Sequence, residues 1–243
     1  MPHRIYIPEL AAQPQGLITI TGEEAQHALR VKRLEAGEAV EVCDGQGTVA
    51  FGRIGAGRKE RGEWAVDVAV ERVEVVPADP PYIRVSSAVP KGDRLHAMIE
   101  GLSQVGAAGW RPVKTVRSVV DPREGKLERL ERVATEAMKQ CGRASRLEIL
   151  PPVRFKEAVN SVGRVVIADA SGGEYEACGF DRIVILVGPE GGWEKSELEF
   201  ALGAGLGVKA VRFGPYVMRT EVAAVVAAAQ VLSAERALRA RAV

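Results

Sequence analysis

Ile183-Val184-Ile185-Leu186-Val187-Gly188-Pro189-Glu190-Gly191-Gly192-Trp193 is an unbroken apolar run that stops at Gly-Pro and gives way to a helical pattern starting at Glu194. A second run, Val208 to Phe213, ends in Gly214-Pro215-Tyr216-Val217-Met218-Arg219-Thr220-Glu221, and another helical pattern starts at Thr220. Unbroken apolar runs mark strands covered on both faces, as in a mainly parallel sheet under helices. Loops at the carboxyl ends of such strands are where open α/β sheets hold ligands. The two loops are the expected active site.

Working outward, Ile83 to Ser86, Pro112 to Val116 and Val165 to Ala168 read as further strands. Asp93 is placed to cap a helix whose apolar face is Leu95, Met98, Ile99, Leu102 and Val105, at helical offsets. Leu127, Leu130, Ala134, Ala137 and Cys141 form the stripe of another, ending near Gly142. A short helix from Glu194 carries Leu198, Ala201 and Leu202. The last, from Thr220, is expected to bury Val222, Val225, Val226, Ala229 and Leu232. Its alanines from Ala223 to Ala229 suit close approach either to its own sheet or to a second subunit, and periodicity does not choose.

The first 76 residues read as a compact β-barrel. Arg4 to Ile7, Leu17 to Ile20, Ala39 to Val42, Thr48 to Phe51 and Trp64 to Val70 are short β-rich runs. Thr21 and Glu24 make a capping-box pattern for one small helix, and Asp44-Gly45 signals a hairpin. Residues 77–82, rich in proline, are the linker, and residues 83–243 the α/β domain.

Composition narrows the function. Apolar residues at 47% and charged residues at 27% are ordinary for a folded chain. No apolar run is long enough to span a membrane and no secretory leader is expected, so the chain reads as cytoplasmic. Three scattered cysteines and three histidines show no ligand spacing, so no metal is expected. Residues 1–80 carry 9 basic and 13 acidic side chains, residues 81–150 carry 13 and 8, and residues 151–243 carry 11 of each. The middle third can therefore present a basic face to phosphate, although solvated helix faces would give the same count.

Several chemistries lack their motifs. There is no G-x-G-x-x-G after a strand, no Gly-Lys-Ser/Thr after Gly188 to Gly192, and no histidine near the loops to form a triad. A glycine-rich strand end such as Gly188 to Gly192 can press backbone against a flat heterocycle, and taken alone is equally an ordinary turn. Arg219 stands at the start of a helix, where its charge does not suit the dipole, so it is expected to serve something else.

The paired strings Ile185 to Gly192 and Phe213 to Glu221 resemble the signature of the RsmE family, SPOUT-superfamily enzymes that methylate N3 of a uridine in small-subunit ribosomal RNA. His3 to Pro8, His27 to Arg33, Cys43 to Gly45, Val116 to Ser118 and Glu136 to Arg143 are similar to further blocks of that family, in order. Departures fall at Gly101 and Gln104, where the family usually has Lys and Glu, and at Val222, usually Thr.

The resemblance implies an α/β SPOUT-type C-terminal domain with a deep trefoil knot, plus a small N-terminal PUA-like β-barrel domain. It implies S-adenosylmethionine (SAM) as cofactor, bound by Leu186, Val187, Gly188, Pro189, Glu190, Gly191, Phe213, Gly214, Val217, Met218, Arg219 and Thr220. The partners it implies are 16S rRNA or the small ribosomal subunit, contacted through Arg4, Arg30, Arg33, Arg117 and Arg143, and a second copy of the chain as homodimer. Uracil N3–H is a weak acid. Arg219 is the first choice to stabilise its anion and Arg4 the second, with Glu190 and Glu221 as candidate bases. A knotted enzyme with another RNA target and a non-catalytic assembly factor are the rival readings.

Overall fold

The computed structural model describes residues 2–10, 16–120, 127–203 and 207–241. The chain divides into two compact units: residues 1–78 with 138–146, and residues 79–137 with 147–243. Residues 138–146, expected in the C-terminal domain, thus pack with the first unit.

In the first unit, strands β1 (His3–Tyr6), β2 (Leu17–Thr21), β3 (Ala39–Cys43), β4 (Thr48–Glu60) and β5 (Glu63–Val75) form one sheet in the order β1-β3-β4-β5-β2. No β1–β2 pairing closes it into a barrel among the described residues. Ile5, Ile20, Val40, Val42, Val66 and Val68 pack with Ala25 and Ala28, which come from helix α1 (Gly22–Gln26) and the π-helical turn after it. The hairpin at Asp44-Gly45 forms: Asp44 Oδ1 accepts the N–H groups of Gln46 at 2.6 Å and Thr48 at 2.9 Å, and Gly45 takes φ +70°. The capping box at Thr21 does not, since Thr21 makes no side-chain cap bond. Glu24 accepts instead from the Lys139 ammonium at 2.9 Å, and a charge-assisted bond outweighs a neutral cap.

The second unit holds β6 (Tyr82–Ser87), β7 (Gly109–Lys114), β8 (Glu148–Ile149), β9 (Val153–Arg154), β10 (Arg164–Gly173), β11 (Arg182–Val187) and β12 (Lys209–Val211). Their order is β12-β10-β11-β6-β7-β8 with β9 also on β7, and every pair is parallel. Alternation sorts the core into two layers. Ile83, Val85, Val166, Ile183 and Ile185 pack with residues of α2 (Arg94–Val105), α3 (Leu127–Cys141) and α6 (Thr220–Arg241). Val113, Val165, Ile167, Val184 and Leu186 pack with α4 (Phe155–Val159) and α5 (Lys195–Gly203).

Three expectations shift. Strand β7 starts three residues before Pro112, because the buried Trp110 is a core side chain, whereas Val116 is 68% exposed. On α5, Ala201 is buried but Leu202 is exposed. On α6 the buried stripe is Ala224, Ala227, Ala228, Val231 and Leu232, with Val222 exposed and Val225 and Val226 only half-buried. The alanines let the helix lie close on its own sheet, while Val222 turns outward. Among the described residues no helix is long and apolar enough to cross a membrane.

Candidate active site

The carboxyl ends of β10, β11 and β12 open onto a cavity of about 460 Å³. Its wall is made by Ala168 to Ala170, Val187 to Trp193, Val211 to Met218, Thr220 and Ala223. Gly188, Gly191, Gly192 and Gly214 belong to that wall, and two of them are required by local geometry. The Trp193 ring folds back over Gly188, where an added Cβ would lie 3.1 Å from Cε2, and its indole N–H donates to the Ala168 carbonyl at 2.9 Å. Gly192 takes φ +69°, a left-handed conformation that favours glycine, and its N–H closes the turn onto the Pro189 carbonyl at 2.8 Å. The Thr220 hydroxyl donates to the Gly188 carbonyl at 3.1 Å, tying the second loop to the first.

Charged side chains hold the rim. Arg94, the first residue of α2, reaches Glu190 Oε1 at 3.0 Å and lies 3.9 Å from Glu221 Oε2. It therefore bridges the carboxylates of both loops. Arg117 donates to the Gly191 carbonyl at 2.7 Å and to Glu194 Oε2 at 3.0 Å. The buried Glu197 accepts the N–H groups of Val116 and Glu194, each at 2.9 Å. Arg94 and Glu197 carry no motif, so sequence reasoning missed both. The signal that could find Arg94 is the one Arg219 shows, an arginine at the opening of a helix, against the helix dipole.

Of the residues predicted to hold a cofactor, all but Leu186 and Arg219 line the cavity. Leu186 is fully buried in the core. Arg219 is exposed beside the second loop. The cavity also gains the carboxylate of Asp169, within β10; its Oδ1 is engaged by the Ser171 N–H at 2.9 Å and hydroxyl at 2.5 Å. Arg94 engages Glu190, and Glu221 Oε2 is buried without a hydrogen-bond partner among the described residues.

The arginines expected to touch RNA have different surroundings. Arg4 is ion-paired with Glu41, its register partner across β1–β3, and donates to the Arg143 carbonyl at 2.6 Å. Only 10% of its side chain is exposed, so the ion pair ties it to the fold of the first unit. Arg143 is half-buried, and burial holds its guanidinium below the usual arginine range. Arg117 is the loop latch described above. Arg30 and Arg33 are exposed, and the Arg30 guanidinium sits 5.6 Å from the Trp64 ring centre, with the Lys59 ammonium at 5.5 Å.

Comparison with known proteins identifies two segments. Residues 78–232 match the RNA methyltransferase domain family, and residues 20–61 the RNA methyltransferase PUA domain family. Ribosomal RNA small subunit methyltransferase E of Mycobacterium tuberculosis is 30% identical over 223 residues, 86% of this chain and 83% of that protein. The protein of the same name from Synechocystis is 28% identical over 230 residues, 89% of this chain and 73% of that one. The Legionella pneumophila structure that holds the bound cofactor SAM superposes with a TM-score of 0.81 at 25% identity, over 96% of this chain and 98% of that one.

Proposed function

Because this chain belongs to the ribosomal RNA small subunit methyltransferase E family, we propose that it transfers a methyl group from SAM to N3 of a uridine in 16S rRNA. The observation that carries the reading is the 460 Å³ cavity at the strand ends, walled by two glycine-broken loops. Its size is that of a small-molecule site, about 300–1,000 Å³. Glycine backbone suits a flat adenine, and the carboxylates of Asp169 and Glu190 on the wall suit a cation. SAM, when bound, supplies a methyl group that is already strongly electrophilic.

The protein's own task is the acceptor. Uracil N3–H must lose its proton, and a guanidinium beside the uracil carbonyls favours the anion, each unit of lowering being worth about 1.4 kcal/mol. Arg219, exposed beside the cavity, takes that role. Glu190 and Glu221 hold Arg94, and through it the two loops, rather than a proton. The target base is splayed from its helix, since N3 is hidden in a pair. Arg30 and Arg33, with Trp64 beside Arg30, offer phosphate contacts and a stacking surface on the first unit.

We infer that the segments following β10, β11 and β12 form the deep trefoil knot of the SPOUT superfamily. The exposed Val222 and the half-buried Val226 leave apolar surface along α6, which supports a homodimer. Calorimetric titration of the full chain with SAM tests the cofactor assignment. Saturable heat is expected; no heat at millimolar SAM would leave an RNA-binding factor without catalysis.

A further inference from the structure

We propose that a second cavity, at the amino ends of the parallel strands, binds a phosphate group between Arg84, Arg111 and Arg182. It lies at the other end of β11 from the methyl-transfer site, roughly 16 Å away by the 3.3 Å rise of a strand. The inference does not depend on the methyl-transfer reading.

The register builds the site. Tyr82 pairs with Arg182, Arg84 with both Val184 and Gly109, and Ser86 with Arg111. A period of two then sets Arg84, Arg111 and Arg182 on one face, the face that also carries Val113, Val184 and Leu186 under α4 and α5. Helix α4 has only five residues, and the amino end of that face opens instead onto a cavity of about 600 Å³.

Inner strands of a parallel sheet are ordinarily apolar, and burying a charge without a partner is costly. Among the described residues none of the three guanidiniums makes an ion pair or side-chain hydrogen bond, and Arg111 Nε is shut from solvent with no partner at all. Glu148 and Glu157 line the same cavity beyond ion-pair distance. Burial, and then the like charge of Arg84, hold the Arg111 guanidinium below the usual arginine range. An anion set between the arginines relieves both effects, and the planar arginine fork matches phosphate oxygens. Three cations against two carboxylates favour a single phosphate over a polyphosphate; Glu157 Oε2 already accepts the Arg154 N–H at 3.0 Å, which leaves Glu148 to accept from a ribose hydroxyl. An RNA phosphodiester and a free nucleotide share that chemistry.

The test titrates the full chain calorimetrically with inorganic phosphate and, separately, with a single-stranded RNA tetramer, for wild type, Arg111→Gln and Arg182→Gln. Arg182 is exposed, so its variant does not threaten the fold, and thermal unfolding in phosphate-free buffer checks both. Each substitution is expected to weaken at least one probe by roughly tenfold or more. Loss confined to the tetramer assigns the site to RNA backbone, and loss of inorganic phosphate binding assigns it to a free phosphate ester; either upholds the site. Affinities for both probes unchanged by both substitutions would overturn it.

Discussion

The Thr220 hydroxyl donates to the Gly188 carbonyl at 3.1 Å, so one hydrogen bond fastens the first residue of the last helix to the first glycine of the other loop. Thr220 is 2% exposed, and water cannot replace the bond. Thr220→Val keeps the shape and removes the donor. It should cost roughly 1–2 kcal/mol of stability and shrink the rise in unfolding temperature that SAM produces, read by thermal unfolding with and without cofactor.

Arg94 bridges Glu190 and Glu221, and Glu221 has only 11% of its side chain exposed. Arg94→Gln leaves two carboxylates facing each other without their cation, at an expected cost of roughly 1–3 kcal/mol in denaturant unfolding. Adding Glu221→Gln should recover part of that loss, because residues in one network couple. Additive effects of the two substitutions would show that Arg94 and Glu221 do not interact.

Glu235 is a buried carboxylate that gathers the 175–179 segment onto α6. It accepts from the Tyr175 hydroxyl at 2.6 Å and from the N–H groups of Cys178 at 2.8 Å and Gly179 at 2.9 Å. Burial alone would push its pKa up, but these bonds outweigh burial and hold it below the ordinary value of 4.5. Because the folded value is the lower one, the stabilisation is present in full above that ordinary value. It is lost as pH falls through the folded value. Glu235→Gln should destabilise the chain by about 2 kcal/mol at pH 7 and flatten the acid limb of its stability profile, measured by unfolding from pH 3 to 7.

Gly101 sits where a Cβ would lie 2.7 Å from Val225 Cγ2, so α2 and α6 approach through a missing side chain. Alanine would gain about 1 kcal/mol of helix propensity, yet overpacking costs about 1–3 kcal/mol, and a valine in a helix has little freedom to turn aside. Gly101→Ala should therefore destabilise. In a Val225→Ala background the sign should reverse, which chemical denaturation reads directly.

The strand-end loops were legible because Gly and Pro break apolar runs abruptly, and that punctuation survives folding intact. The buried face of α6 was legible only in part: Leu232 is buried as expected, but hydrophobicity ranked Val222, Val225 and Val226 above Ala224, Ala227 and Ala228, where close packing on the sheet requires the smaller residue. The ion pair of Arg4 was hidden for another reason. Its partner Glu41 lies 37 positions away, and pairing of that range is set by strand register, which no local pattern reveals. Asp169 escaped because the apolar run Val165 to Ala168 shows no glycine-proline break at its end, and β10 continues through Asp169 to Gly173.

The most direct test incubates the protein with SAM and small ribosomal subunits, digests the rRNA to nucleosides and identifies the methylated product by mass spectrometry. The account predicts 3-methyluridine with wild type, and roughly 100-fold less in the same time with Arg219→Ala, whose calorimetric SAM affinity stays near wild type. Methylation at another atom, no 3-methyluridine at all, or an Arg219→Ala rate equal to wild type would contradict it.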